Sequence, residues 1–347
     1  MSPVSHPLVS IIFPIRNEAT YINRDLRAIA EQDYSGPTET LISDGMSTDE
    51  TRQIVQDFSN FHPQMQIGVL DNPRKIVPTG LNIALRQAKG EIIIRVDGHT
   101  IIDTDYVRQC VEALQRTHAD DVGGRMNAIG VTSFGKAVAL ATSTPFGVGG
   151  GRFHTSNKEE WVDTVYMGAW PRRVFEKIGL FDEELVRDQD DEFNYRLLEH
   201  AGKILLCPEI RSEYTVRGTP KALWKQYYQY GFWKVRVLQK HPRQMSLRQF
   251  VPPTFVLALF ASVLFAFSPG LRPLSIVVPL LYLVANLLAS LFTASRRGWQ
   301  YLPLLAFVFA SLHLSYGLGF LAGLFKFWNR WGDKTGKVPV WTREAVG

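Results

Sequence analysis

A carboxylate and an imidazole two residues apart close the short apolar run EIIIRVDGH at residues 91–99. So short and β-branched a run reads as a buried parallel strand, which leaves Asp97, Gly98 and His99 at the strand's end. In an extended tip Asp97 and His99 point to the same side, and Gly98 lets the backbone bend between them. One hard oxygen and one imidazole nitrogen suit Mg²⁺ or Mn²⁺, with diphosphate oxygens completing the shell. The plainer alternative is an aspartate that only caps the following turn. A second concentration of acid, DQDDE at residues 188–192, places four carboxylates at a predicted helix start. The helix dipole accounts for some of them. Four exceed that need, and crowded carboxylates raise one another's proton affinity, which tunes a general base towards neutral pH. Asp190, Asp191 and Glu192 are therefore candidate catalytic groups.

The elements that must position these groups alternate along the first hundred residues. A strand at 8–14 leads to a helix beginning near Glu18, capped by Asn17, with Ile22, Leu26 and Ile29 on one face. A strand over 40–44 ends in Asp44 and Gly45, and Ser47, Thr48 and Asp49 open the next helix. A strand at 66–70 and a helix from about Thr79 to Ala88 precede the strand that begins at Glu91. This alternation predicts a parallel sheet with right-handed crossovers. Glu18, Asp44 and Asp97 all fall just past strand ends, so they converge on one sheet edge, where open α/β sheets bind ligands. Further on come a helix from Asp103 to about His118, a strand over 122–131, and a glycine-rich segment, 144–158, expected as a mobile loop able to close over a substrate. Its alternative is an ordinary surface connection. A strand over 162–170 then runs into Gly168 and Trp170, and a helix follows from Arg172.

At 347 residues the chain can hold one large or two medium domains. No Gly-x-Gly-x-x-Gly follows the first strand and no Walker loop occurs, which weakens dehydrogenase and ATPase readings. Acidic rather than glycine-rich tips imply that a metal handles the diphosphate. The formal net charge is +5, but much of the basic excess follows residue 216 beside apolar segments, which suits an anionic membrane surface better than nucleic acid. Cys110 and Cys207 fit no metal spacing and read as buried thiols in a reducing compartment. Met1 to Pro7 show no cleaved-signal pattern.

From Pro220 an aromatic and basic stretch containing Tyr230, Trp233 and Lys234 suits the headgroup region of a bilayer; a single-stranded nucleic-acid platform has a similar composition. Three apolar segments follow, at about 250–267, 274–292 and 302–325, each long enough to cross or nearly cross a membrane, with a buried helical bundle as the alternative. If the first domain is cytoplasmic and all three cross, the tail carrying Lys326, Arg330, Lys334, Lys337 and Arg343 lies outside, against the positive-inside tendency. The first and third segments, interrupted by proline and glycine respectively, are the candidates for a re-entrant or interfacial helix.

The motifs PIRNE (14–18), SDGMSTDE (43–50), VDGH (96–99), GLFDE (179–183) and QDDE (189–192) occur in the order found in family 2 glycosyltransferases. Over about residues 8–240 the sequence resembles that family, most nearly its membrane-attached bacterial branch similar to succinoglycan glucosyltransferases. The resemblance implies an α/β GT-A nucleotide-diphospho-sugar transferase fold with a C-terminal transmembrane helical region. The expected division is a GT-A domain over 1–218, an interfacial helix over 219–249, a membrane region over 250–326 and a basic tail over 327–347.

By resemblance, Pro14, Arg16, Asn17, Glu18, Asp44, Gly45, Lys75, Gly80, Asn82, Arg95 and Asp97 line the nucleotide-sugar site, with Glu18 and Asp44 on the base and ribose side. Asp97, with His99 where the family has a second aspartate, would hold Mg²⁺ or Mn²⁺. Asp190 aligns with the catalytic base, with Asp191 and Glu192 beside it, the latter on the acceptor side; Gln189 stands where a glutamate is usual. Gly168, Trp170, Tyr230, Trp233 and Lys234 would serve the acceptor. The implied reaction is inverting transfer from a nucleotide sugar, UDP-linked by expectation, to a lipid-linked saccharide. It would occur at the cytoplasmic face of a bacterial inner membrane that the protein crosses several times, in exopolysaccharide or surface-glycan assembly, with no nucleic-acid partner. Gln226 to Tyr230 lack the arginine and tryptophan of the processive Gln-x-x-Arg-Trp motif, which favours single-sugar addition over a processive polysaccharide synthase. A non-catalytic, nucleotide-sugar-binding membrane scaffold is the rival from another class.

Overall fold

The computed structural model describes residues 6–341. The described chain forms two compact units. One takes in residues up to Asn127, Ser156–Tyr214 and those from Thr335 onward; the other is Ala128–Thr155 with Thr215–Lys334.

The first unit begins with the expected alternation: β1 (Val9–Ile15), α1 (Ile22–Ala30), β2 (Thr38–Asp44), α2 (Thr51–Phe61), β3 (Gln66–Asp71), α3 (Val77–Gln87) and β4 (Ile92–Arg95). β1 pairs in parallel with both β2 and β4, and β2 with β3. Val9, Ile11 and Phe13 alternate along β1 into a core with Ile22, Leu26 and Ile29 of α1 and with Ile92 and Ile94 of β4. Helix α1 starts four residues later than the spacing suggested. The Asn17 side chain accepts from the Thr48 backbone N–H at 2.9 Å instead of capping α1. That bond, with Glu18 N–H donating to Thr51 Oγ1 at 2.8 Å, ties the loop after β1 to the loop after β2.

The unit continues through β5 (Thr100–Ile102), α4 (Tyr106–Thr117) and β6 (Asp121–Ile129), whose last residues pass into the second unit. There α5 (Ser133–Thr142), α6 (Pro145–Val148) and α7 (Arg152–Thr155) follow. The segment expected as a glycine-rich mobile loop thus contains two short helices, the first capped by Thr144, whose hydroxyl accepts from Gly147 N–H at 3.1 Å. Back in the first unit are β7 (Glu160–Val162), β8 (Tyr166–Pro171), α8 (Arg173–Ile178), α9 (Gln189–Glu199) and β9 (Ile204–Thr215). The strand order is β3-β2-β1-β4-β8-β6-β9-β5, with β7 on β9. β8 is antiparallel to β4 and to β6, so a parallel half joins an antiparallel half beside the strand that carries Arg95.

Trp170 on β8 is 2% exposed and packs against Phe175, Phe181 and Phe193 at ring distances of 5.6–6.1 Å. Expected on the acceptor surface, it is a core residue instead: burial of so large an aromatic is what joins β8 to α8 and α9. Trp170→Ala should destabilise the protein by about 3–5 kcal/mol, measurable as a fall in the denaturant midpoint. Asp121, wholly buried, has its carboxyl pushed well above the usual carboxylate range by desolvation. Its folded form holds a proton that the unfolded chain releases above about pH 4, so its contribution to stability is present below that pH and is lost as pH rises through the folded value. Asp121→Asn removes the penalty, so its melting temperature should match wild type at pH 4 and exceed it at pH 8.

The last residues return to the first unit as an extended strap. Leu180 N–H donates to the Pro339 carbonyl and Glu183 N–H to the Lys337 carbonyl, each at 2.9 Å. Lys337 N–H donates to Asp182 Oδ1 at 2.8 Å, and Trp341 stacks near Phe175 with ring centroids 6.0 Å apart. Arg343 lies outside the described residues.

The second unit holds α10 (Pro220–Lys240), α11 (Val251–Phe265), α12 (Val277–Arg297) and α13 (Leu302–Lys326). Three helical stretches, Leu247–Phe265, Arg272–Arg297 and Trp299–Lys326, are long and apolar enough to cross a membrane.

Candidate active site

Arg95 is the one charged side chain within an otherwise apolar strand, and it is 4% exposed. Its Nε and Nη2 donate to Asp97 Oδ1 and Oδ2 at 2.6 and 2.8 Å, a two-pronged pairing that fixes both the position and the rotation of the carboxylate. The remaining nitrogen, Nη1, makes no hydrogen bond among the described residues and lies 4.0 Å from Asp190 Oδ2. Burial alone would depress the guanidinium's proton affinity, but Asp97 and Asp190 outweigh it and raise that affinity above the ordinary arginine value. One buried cation therefore joins the end of β4 to the start of α9, almost a hundred residues apart in sequence. Arg95 was expected to touch the nucleotide; Asp97 engages its Nε and Nη2, which leaves Nη1 for such a contact.

Asp190 follows Asp188, whose left-handed backbone (φ 59°) turns the chain into α9. The Asp190 side chain is 44% exposed, and Asp97 24%. Both are open enough to meet a ligand. The neighbouring acids differ. Asp191 Oδ1 accepts a long bond from Thr164 Oγ1 at 3.5 Å. Glu192 is 1% exposed and accepts from Arg196 Nε and Nη2 at 2.9 and 3.0 Å, while Arg196 Nη2 also donates to the Leu180 carbonyl at 2.8 Å. The acceptor-side role expected of Glu192 gives way to a structural one, because its carboxylate faces inward to anchor α9. Glu192→Ala should leave Arg196 buried without its carboxylate and cost about 3–5 kcal/mol of stability. Glu192→Gln, assayed at a temperature where it is folded, should keep a near wild-type turnover.

His99 occupies the left-handed region (φ 54°), and its backbone N–H donates to Asp25 Oδ2 at 2.8 Å. Its ring Nδ1 lies 3.2 Å from Glu18 Oε1, and Gly98 is tight against the same carboxylate: a Cβ there would sit 2.9 Å from Oε1. With Nδ1–H donating to Glu18, Nε2 holds the lone pair, the arrangement of a histidine whose carboxylate partner orients it for a metal. Glu18, expected on the nucleotide, is thus bonded to His99. Asp25 was missed by sequence reading. Desolvation raises its pKa to about 6, against the lowering effects of Arg24 and His99. Its signal was present: it lies beside Leu26 on the face otherwise formed by Ile22 and Ile29.

Asp44, 1% exposed, accepts from the Ser47 backbone N–H at 3.1 Å and lies 3.4 Å from Arg52 Nε. It holds its own loop closed at the end of β2, as an aspartate in an Asx turn does. Pro14 is half-buried, while Arg16, Asn17 and Lys75 are exposed at the same strand ends. Gly45 lies against the Arg16 side chain, and Gly80 lets α3 approach Ser43, whose Oγ would be 2.8 Å from a Cβ at that position. Asn82 is fully buried and clamps the Phe181 backbone, accepting from its N–H and donating to its carbonyl, each at 2.9 Å. Gly80 and Asn82, expected on the nucleotide, therefore act in helix packing. Gly168 (φ 102°) is in β8. Tyr230, Trp233 and Lys234 lie on α10 in the second unit; Tyr230 Oη accepts from Gln226 Nε2 at 2.9 Å, and Lys234 is 5% exposed.

No group of three His, Cys, Asp or Glu side chains able to hold a metal ion occurs among the described residues. Asp97 and His99 alone supply too few ligands for a protein-built cage. They do fit Mg²⁺ or Mn²⁺, which is commonly held by one or two carboxylates with the rest of its shell from substrate phosphates and water. Arg95 Nη1, whose N–H groups meet no acceptor among the described residues, suits the same anionic ligand.

A succinoglycan biosynthesis protein, ExoA, of Rhizobium meliloti is 28% identical over 92% of this chain and 96% of its own length. A dolichyl N-acetyl-alpha-D-glucosaminyl phosphate 3-beta-D-2,3-diacetamido-2,3-dideoxy-beta-D-glucuronosyltransferase of Methanococcus voltae is 27% identical over 92% of this chain and 97% of its own. Among solved structures, the mannosyltransferase PcManGT of Pyrobaculum calidifontis, in complex with GDP-Man and Mn²⁺, shares the fold with a TM-score of 0.60 at 20% identity, over 93% of this chain and 89% of that one. The Glycosyl transferase family 2 profile matches residues 10–179, the stretch that contains β1 from its second residue, β2 to β4, Asp97 and the whole of β8. With a GT-A sheet, an acid pair joined by a buried arginine, and these relatives along its length, residues 10–179 of the chain form a Glycosyl transferase family 2 domain.

Proposed function

We propose that the protein transfers one sugar, with inversion, from a nucleotide diphospho-sugar to a lipid-linked saccharide at the cytoplasmic face of a membrane, in assembly of a surface glycan or exopolysaccharide. The observation that carries the reading is the Asp97–Arg95–Asp190 array, in which one buried cation joins two accessible carboxylates. Asp190 is the general base: it takes the proton of the acceptor hydroxyl as the oxygen attacks the anomeric carbon from the face opposite the leaving nucleoside diphosphate. Arg95 positions Asp97 and, through Nη1, adds positive potential where the diphosphate gathers negative charge. Glu18 orients His99. A divalent cation held by Asp97 and His99 would stabilise the departing diphosphate as a Lewis acid. Inversion follows from a single in-line displacement.

The relatives support the acceptor class. One is named for succinoglycan biosynthesis and the other for a dolichyl phosphate-linked sugar acceptor. PcManGT, solved with GDP-Man and Mn²⁺ bound, supports the divalent cation. The three apolar helices support membrane attachment, and a lipid acceptor explains why an enzyme of soluble nucleotide sugars needs it. The UDP preference and the domain division at about residue 218 stand as parts of the same proposal. Membranes containing the full-length chain, given radiolabelled UDP-sugars and membrane lipid extract, should yield label in the organic phase as a product one sugar longer than the acceptor. Label in a ladder of long water-soluble chains would instead identify a processive synthase.

A further inference from the structure

The chain leaves the extended path of β4 by His99, whose left-handed backbone (φ 54°) is a conformation that residues other than glycine seldom adopt. Where the imidazole points is therefore set by this turn and not by strand alternation. Gly98 has no side chain with which to hold the turn, so the hold must come from elsewhere. Two carboxylates from the segment that opens α1 meet residue 99. Glu18 Oε1 lies 3.2 Å from the ring Nδ1, and Asp25 Oδ2 accepts the backbone N–H at 2.8 Å.

The spacing of these acids is helical. Ile22 N–H donates to the Glu18 carbonyl at 2.9 Å and Asp25 N–H to that of Tyr21 at 3.1 Å, which carries the helical turn back to Glu18. Glu18, Tyr21 and Asp25 follow one another at three and four residues, the intervals that place side chains on one stripe. All three meet His99, since the Tyr21 ring lies 6.2 Å from the imidazole by centroids. Tyr214 of β9 adds a second ring at 5.3 Å.

Asp25 is the member of this stripe that packing does not explain. It is 1% exposed and lies on the face that α1 turns into the core through Ile22, Leu26 and Ile29. An apolar side chain would fill that place without the cost of desolvating a carboxylate. Arg24 offsets part of the cost from the rim of the site, with Nε and Nη2 at 3.4 and 3.3 Å from Oδ1. The shorter bond is the one that Oδ2 takes from His99 N–H, and an ionised acceptor makes such a bond roughly twice as strong as a neutral one.

We infer that Asp25 is a positioning residue for the cation site: it holds the His99 backbone in its left-handed turn and so aims the imidazole that Glu18 fixes in rotation. The inference rests on the cation role proposed above for Asp97 and His99, and adds a residue that supplies no ligand and acts through His99. The two acids divide the work. Glu18 sets the tautomer and rotation of the ring, and Asp25 sets the point from which the ring starts. Without Asp25 the turn is free to relax to the right-handed or extended backbone that a histidine prefers, which re-aims Nε2. What His99 needs from position 25 is an acceptor. Asp25→Asn keeps an oxygen there; Asp25→Leu and Asp25→Ala remove it, and leucine suits the apolar face of α1.

Full-length protein in detergent is to be titrated with Mn²⁺ in the presence of UDP, GDP or dTDP. Electron paramagnetic resonance follows the bound ion, and its pulsed form reads the nitrogen modulation of a coordinated imidazole. Denaturant midpoints of the same preparations report separately on folding, and two acceptor-free variants guard against one that fails to fold. His99→Gln supplies the spectrum of the missing ligand. Asp25→Asn should keep the modulation and a Mn²⁺ affinity within about three-fold of wild type, whereas Asp25→Leu and Asp25→Ala should lose the modulation and bind Mn²⁺ about 10–100-fold more weakly while folded. Wild-type affinity and modulation in the acceptor-free variants would overturn the inference and leave the cation site standing. Asp25→Asn as weak as Asp25→Leu would overturn it too, because the role assigned is that of an acceptor. A wild type without the modulation, or one that holds no Mn²⁺ beyond what the nucleotide alone binds, would remove His99 from the cation reading and the inference with it.

Discussion

Asp190→Asn is expected to slow sugar transfer by about 10²–10⁴-fold while donor affinity stays within a few-fold of wild type. The substitution keeps the shape of the side chain and removes only its ability to take a proton. Asp190 sits at the first turn of α9, 44% exposed, where an incoming hydroxyl can reach it, with Arg95 Nη1 4.0 Å from its Oδ2. In the proposed arrangement, binding of the donor falls to the Asp97 side of the array. A transfer assay paired with calorimetric titration of the nucleotide separates the two effects. Loss of affinity equal to the loss of rate would place Asp190 in donor binding instead.

Asp97→Ala is expected to be more damaging, because it removes a carboxylate proposed to hold the cation and half of a buried ion pair. Arg95, 4% exposed, would retain only Asp190 at 4.0 Å as a counter-charge. Breaking a buried pair from one side costs about 3–5 kcal/mol. Activity should fall below detection and the response to added Mg²⁺ or Mn²⁺ should disappear. A double substitution, Arg95→Met with Asp97→Leu, removes both charges at similar volume. It should recover most of the stability and none of the activity, as chemical denaturation and transfer assays on the same preparations would show. Recovery of activity with stability would mean that the pair serves folding alone.

How far this site could be read from sequence depends on whether the deciding contacts are local. The β-branched run ending at Asp97 and the alternation from β1 to β4 are written in short-range periodicity, and the structure has them. The acids of 188–192 mark a helix start for the same reason. Their division of labour is not local: Glu192 is structural because Arg196 and the Leu180 carbonyl surround it, and Asp190 is accessible because they do not. Trp170, Gly80 and Asn82 sit in motif-rich stretches, yet the neighbours that bury them come from distant elements. The start of α1 moved from Glu18 to Ile22 because Thr48, on the loop after β2, and Thr51, at the start of α2, engage Asn17 and Glu18. The return of the tail at Lys337 and Pro339 is made by backbone hydrogen bonds, which leave no hydrophobic pattern to read.

The most direct measurement is nucleoside diphosphate release by the purified full-length protein in detergent. A panel of UDP-, GDP- and dTDP-sugars would be tested with membrane lipid extract as acceptor, in the presence of Mg²⁺, Mn²⁺ or a chelator. Release from one donor class, dependent on a divalent cation and abolished in Asp97→Ala, is the result expected. No release from any donor, with nucleotide still bound, would contradict the enzymatic account and leave a sugar-nucleotide-binding membrane scaffold in its place.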